Sequence, residues 1–259
     1  AVATPSLLLF SPGLDQAYPT LAVTACWLAY TAGRRGAVWR AALAGLAVSV
    51  GMFFTLAFGV VGVLSALLGW AGLRRREQPG TVDDGLRLAG GAAVGWIVPV
   101  VSLYLAFGYN SLGAWWGAWQ ANARFNAIQG RAYWTWLVLN PVDFLVFLGL
   151  PVACLFIRRT ASEVWALRKG RLERVDWATV IVAGLLVTLA VLGVNRGEVA
   201  RLWLFLMPAC AVAAAAEIGR YAPYRRVVLA VLLTVQCVQV VAFKAGLDVL
   251  LGPYRHLGG

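Results

Sequence analysis

Apolar runs cut by short basic stretches set the pattern of this chain. A first run over residues 21–31 opens near Asp15 and ends at a basic turn, Gly33-Arg34-Arg35-Gly36 to Arg40. Residues 41–73 are then almost wholly apolar, up to Arg74-Arg75-Arg76. A helix crosses a bilayer in about 20 residues, so this run is too long for one crossing. Both of its flanks are basic, which places both on the cytoplasmic side. The run is therefore expected to be a hairpin of two short helices turning near residues 53–59. Further spans are expected over residues 88–107, with a kink at Pro99, and over 136–156, 177–194, 202–218 and 227–243. Residues 109–136 form the longest loop on the opposite face. The basic connection 157–176 reads as a cytoplasmic surface helix. The predicted fold is all-α, a single transmembrane domain over residues 1–259. It is a polytopic bundle of about eight membrane helices, including the short hairpin, with an aromatic extracytoplasmic loop helix.

Composition agrees with this pattern. Hydrophobic residues make up 61% of the chain, charged residues 13%, and the mean hydropathy is +0.76. Soluble domains average about 45–50% apolar and 25% charged. The net charge of +11 would suit nucleic acid, but the placement of the charge gives another reason for it. Sixteen of the 22 basic residues fall in the stretches 34–40, 74–87, 158–174 and 220–226. Arg124, Arg131, Arg196, Arg201, Lys244 and Arg255 are left for the other face. The positive-inside bias explains that asymmetry, and the partner implied is the lipid bilayer of a cytoplasmic membrane. Residue 1 is Ala, with no basic leader or cleavage site before the first apolar run, so the chain is read as part of a longer protein that continues N-terminally. Cys26, Cys154, Cys210 and Cys237 lie singly in apolar runs and read as small buried residues.

The candidate chemistry lies on the outer face, where topology does not account for cations. Asn195-Arg196-Gly197-Glu198-Val199-Ala200-Arg201 is a charged knot between two apolar runs. Asn195 with Glu198 three residues on reads as a capped helix start. Two arginines beside a helix N-terminus make a receptor for phosphate; the plainer reading is a cap with snorkelling arginines. Glu198 and Arg201 are three apart and can pair. Upstream, Leu112, Trp116, Trp119 and Ala123 recur at helical spacing, with Gln120, Asn122, Arg124 and Asn126 elsewhere on the wheel. Tyr133, Trp134 and Trp136 follow as an aromatic belt. Such a segment either anchors the interface, the plainer reading, or lines a groove for a sugar or lipid head group, to which Arg124 and Arg131 beside it add some weight. Asp143 would lie about 10 Å inside its span, as a neutral acid, paired with a cation such as Arg131, or facing a wet cavity. His256 is the single histidine, which excludes a histidine metal site or a Ser-His-Asp triad within this chain. No P-loop and no GxGxxG motif is present.

Three passages resemble the later membrane helices of GT-C-fold glycosyltransferases of the protein-mannosyltransferase and aminoarabinose-transferase type. They are Thr4-Pro5-Ser6-Leu7-Leu8-Leu9-Phe10-Ser11-Pro12 with Asp15-Gln16, Arg131-Ala132-Tyr133-Trp134 through Asn140-Pro141 and Asp143, and Arg196-Gly197-Glu198-Val199-Ala200-Arg201-Leu202-Trp203 with Pro208. The short hairpin between basic loops is also similar. The resemblance implies transfer of a sugar from a polyprenyl-phosphate donor to a hydroxyl of a lipid, glycan or protein at the extracytoplasmic face. It implies substrate binding by Arg196, Glu198, Arg201, Arg131, Tyr133, Arg124 and Asn122. Asp15 would be a secondary acid or a contact to a divalent metal; a helix cap is the simpler role for it. The chain lacks the first extracytoplasmic loop that carries the main catalytic carboxylate in that family, so this portion alone is expected to be inactive. The alternatives are a multi-span transporter or flippase, and a non-catalytic membrane subunit. Charge-free span centres count against transport.

Overall fold

The structure, a computed structural model, describes residues 17–76, 80–197 and 199–251. Among them the chain is helical throughout, with no strand. Four helices form the first part: α1 (Ala17–Arg35), α2 (Val38–Phe54), α3 (Gly59–Arg74) and α4 (Val82–Phe107). The long apolar run breaks at Thr55, which is extended, and at the 3-10 turn Leu56–Phe58. Gly51 meets Phe58 and Gly62 meets Val48 across this break, so α2 and α3 form the expected hairpin. Small residues let these helices touch. A Cβ at Gly33 would sit 2.0 Å from the Gly69 carbonyl oxygen, and one at Gly95 would sit 1.8 Å from that of Ala42. Lipid gives helices no hydrophobic reason to associate, so close backbone packing has to supply it.

The second part holds α5 (Ser111–Ile128), α6 (Tyr133–Leu148), α7 (Leu150–Arg168), α8 (Trp177–Leu192), the short α9 (Val199–Leu202), α10 (Met207–Ile218) and α11 (Arg225–Leu251). Its core is the broken stretch after the charged knot. Val199, Leu204, Leu206 and Cys210 are fully buried, and Trp203 is 1% exposed. Phe205 packs on Phe58 at 6.1 Å between ring centroids and joins the two parts, while Trp203 packs on Phe144 at 5.9 Å within the second.

Two expectations need correction. The span predicted over 136–156 is broken at Gly149, with φ +102° and a 117° bend between α6 and α7. A break frees backbone groups that lipid cannot satisfy. Two glutamines of α11 take them: Gln236 Nε2 donates to Leu148 O at 3.0 Å and Gln239 Nε2 to Val146 O at 2.8 Å. Gln239 Oε1 also accepts from Leu150 N at 2.9 Å. The connection after 157 is no separate surface helix. It is the second half of α7, where Glu163 is 3% exposed, pairs with Arg159 at 3.0 Å and accepts from Asp176 N at 2.8 Å.

Three helical stretches are long and apolar enough to cross a membrane: Leu56–Arg74, Val82–Phe107 and Leu204–Gly246. The bent α6–α7 pair makes a fourth if it is one broken span, and α2 and α8 are shorter apolar helices. The basic stretches gather at one end. Arg76 pairs with Asp84 at 3.2 Å, while Arg75 and Arg159 reach Asp176 at 3.9 and 3.5 Å. Glu217, fully buried, is held by Arg158 at 3.0 Å and Arg220 at 3.1 Å. Asp176 caps the start of α8 through Ala178 N. The charged knot lies at the other end of that helix.

Candidate functional site

A helix leaves its last carbonyls without intrahelical partners. In α8 that end comes at Gly193, which is left-handed (φ +57°), and residues 194–197 carry on without helix. The backbone from Val191 to Ala200 therefore needs partners, and side chains from α5, α6 and the loop before α6 provide them. Tyr133 Oη donates to Val191 O at 2.6 Å. Asn122 Nδ2 and Asn126 Nδ2 both donate to Val194 O, at 2.7 and 2.8 Å. Asn140, wholly buried, uses both ends of its amide. Nδ2 donates to Asn195 O at 2.6 Å and Oδ1 accepts from Gly197 N at 3.0 Å.

The two arginines of this end exchange backbone bonds. Arg131 Nη1 donates to Arg196 O, and Arg196 Nη1 donates to Arg131 O at 2.9 Å. Arg196 Nε also reaches Gly193 O at 3.1 Å. Aromatic faces take up the charge. Arg131 lies 4.7 Å from the Phe125 ring centroid and 5.8 Å from that of Trp136, and Arg196 lies 5.7 Å from that of Tyr133. Gly197 sits beneath them at φ +89°, where a Cβ would come within 3.0 Å of the Trp136 ring and 3.3 Å of Arg131. The position takes glycine for both conformation and space.

The helix after the knot begins later than expected. Residues 195–197 are not helical, the described helix covers Val199–Leu202, and its amides are capped from α6, with Asp143 Oδ2 accepting from Ala200 N at 3.2 Å. The partner of Asp143 is thus a helix terminus rather than Arg131. A carboxylate already occupies that terminus, which removes it as a seat for phosphate.

The expected site residues are placed as follows. Arg131, Tyr133, Asn122 and Arg196 come together around the loop. Arg201 is exposed on α9, and Arg124 is exposed on α5. Asp15 and Glu198 lie outside the described residues. The loop helix 111–128 forms as expected, but its faces divide the work differently. Leu112, Trp116 and Trp119 are exposed, whereas Asn122 is half-buried and Asn126 buried against the knot. Trp115 points inward and donates to Met52 O at 3.1 Å.

Asn126 and Asn140 stand outside the substrate-binding set that the resemblance implies. The signal for Asn140 was an amide within an apolar helical run, which is costly to bury without partners. Gln236 and Gln239 carry the same signal in α11. Among the described residues, no three of His, Cys, Asp and Glu gather closely enough to hold a metal ion. No protein-family model, curated protein or solved structure matches the chain.

Proposed function

We propose that the chain is the multi-pass portion of a GT-C-type glycosyltransferase of the cytoplasmic membrane, with about eight membrane helices in all. It moves a sugar from a polyprenyl-phosphate donor to a hydroxyl of a lipid, glycan or protein at the extracytoplasmic face. One observation carries this reading. Two of the passages that resemble such transferases interlock in one cluster, with Asn140 holding Gly197 across 57 positions of sequence. The basic end then faces the cytoplasm, and the cluster faces outward.

In this reading Arg131, Arg196, Asn122, Tyr133 and Asn140 are positioning residues. They fix the loop 193–197, which precedes Glu198 and Arg201 in the chain. Arg201 meets the phosphate that leaves the sugar, which needs a cation aimed at its developing charge. Glu198, three residues away, orients Arg201. The attacking hydroxyl must lose its proton to a carboxylate. In the transferases that the chain resembles a loop carboxylate takes that role, and within this sequence Asp15 is the secondary acid.

One observation favours the alternative of a transporter or flippase: the broken span at Gly149, since transporters build sites at broken helices. Here the freed backbone groups are taken by Gln236 and Gln239, which leaves them no solute to meet.

The test uses membrane vesicles carrying the full-length protein and a radiolabelled polyprenyl-phosphate sugar. Arg201→Lys should weaken donor binding by about 10- to 100-fold, the worth of a hydrogen bond to a charged group. Arg168→Lys, at the basic end, should leave binding unchanged. Equal effects at both positions, or no donor binding above control vesicles, sinks the reading.

A further inference from the structure

In the first part of the bundle α3 packs on α1 and α4 packs on α2, while α3 and α4 scarcely meet. A groove of about 340 Å³ is left between them. Small residues of α1 and α2, such as Ala32 and Ala44, make its floor and leave room above it. One wall runs from Gly62 to Leu73 on α3, the other from Trp96 to Gly85 on α4. Each wall is about 16 Å long at about 1.5 Å per residue. That is close to half of the roughly 30 Å hydrocarbon core of a bilayer, the depth of one leaflet. Both walls belong to stretches long and apolar enough to cross a membrane, and Ala66 and Ala89 are exposed along the rim. The groove ends at Leu73 and Gly85, at the basic end of the bundle, and a cation stands there. Trp70 lines the wall, and Arg74 lies over its ring at 5.1 Å from the centroid. Arg74 is exposed and forms no ion pair among the described residues, whereas Arg75 reaches Asp176 at 3.9 Å and Arg76 holds Asp84 at 3.2 Å. Asp83 and Arg87, both exposed nearby, balance in charge, so Arg74 remains as the surplus.

We infer that this groove holds one acyl chain of an anionic glycerophospholipid, with the phosphodiester of the lipid at Arg74. Walls, length and charge each narrow the occupant. Apolar walls with few polar groups take hydrocarbon. A groove one leaflet deep suits a chain whose head group stays at the interface. A helix of another protein would need a track through the whole core, about twice as long. A guanidinium at the mouth selects negative charge, because an arginine near the membrane surface draws anionic head groups and bonds phosphate oxygens through its planar fork. A zwitterionic head group brings its own cation and cancels that gain. Stacking on Trp70 holds the guanidinium at the end of the groove, where a head group would sit above its chain. The charged knot lies at the opposite end of the bundle. The lipid site therefore stands without the donor site proposed above, and needs only that α3 and α4 lie in a bilayer.

The test offers purified full-length protein in detergent an equimolar mixture of phosphatidylglycerol and phosphatidylcholine with identical acyl chains. Native mass spectrometry counts the lipids retained. The first lipid held by the wild type should be phosphatidylglycerol, favoured about fivefold, the worth of one cation beside an anionic head group. Arg74→Gln should erase most of that preference. Arg225→Gln removes the same charge from the start of α11, away from the groove, and should leave the preference intact. Ala89→Trp fills the groove from an exposed position on α4, so it does not depend on the core accepting a substitution. It should lower retention of the first phosphatidylglycerol. Equal retention of the two lipids by the wild type, equal effects of Arg74→Gln and Arg225→Gln, or undiminished retention in Ala89→Trp each overturns the assignment. A dimer that retains no lipid overturns it in favour of a second copy of the chain.

Discussion

Arg131 and Arg196 each donate a hydrogen bond to the other's backbone carbonyl. The two cations thereby lock the loop before α6 to the loop after α8, and each rests on aromatic rings. Arg196 adds a third tie, to Gly193 O. A lysine in either place would have one compact ammonium where the arginine has a planar fork. Arg131→Lys and Arg196→Lys are each expected to destabilise the loop by about 1–2 kcal/mol. In a double-mutant cycle they should couple by about 0.5–3 kcal/mol. Hydrogen exchange of the 193–197 amides in nanodiscs measures this. Strict additivity would show that the exchange of bonds has no energetic content.

Asn140 serves one carbonyl and one amide of the same loop from a fully buried position. Asn140→Leu keeps most of the volume and strands both groups, at about 1–3 kcal/mol each. The melting temperature should fall well below that of Val138→Leu, a change on the exposed side of the same helix. Similar melting temperatures for the two variants would remove Asn140 from its assigned role.

Gln239 bridges the break at Gly149, holding Val146 O and Leu150 N with one side chain. Gln236 holds only Leu148 O. Gln239→Leu should therefore cost more than Gln236→Leu, by roughly the 1–3 kcal/mol of one further unsatisfied group. Denaturation in mixed detergent micelles ranks the two. The reverse order counts against this account of the broken span.

Glu217 is buried, while its partners Arg158 and Arg220 are 60% and 44% exposed. Removing the carboxylate leaves two cations that water can solvate. Removing both arginines strands a buried negative charge, and breaking a buried pair this way costs about 3–5 kcal/mol. The Arg158→Ala, Arg220→Ala double variant should thus be less stable than Glu217→Gln. Equal thermal stabilities would falsify the asymmetry.

The orientation proposed for the chain is open to labelling. A cysteine in place of Lys169, at the basic end, should be shielded from an impermeant thiol reagent in intact cells. One in place of Gln129, after α5, should react. Both positions are exposed at the protein surface. Labelling of Lys169→Cys with protection of Gln129→Cys would turn the protein over in the membrane.

The sequence by itself determined what depends on near neighbours. The hairpin break at Thr55 was legible because residues 41–73 are too long for one crossing and are basic at both ends. The helix 111–128 was legible from the spacing of Leu112, Trp116, Trp119 and Ala123. The gathering of basic stretches at one end of the bundle followed from their placement between apolar runs.

The tertiary structure alone decided which polar groups meet. Gly149 with Pro151 two residues on marks a local helix break, but nothing local sets its 117° angle. The bend is held by Gln239, 89 positions from Leu150. Asp143 could have paired with a cation or faced a cavity; packing of α6 against α9 gave it the Ala200 amide. Asn195 read as a cap from its spacing to Glu198, yet residues 195–197 are not helical and the described helix takes its cap from α6. Periodicity and charge bias are properties of a few neighbouring residues, so a sequence displays them. A hydrogen bond between helices depends on which faces the packing brings together, and in an apolar medium every backbone group freed by a loop must find such a partner.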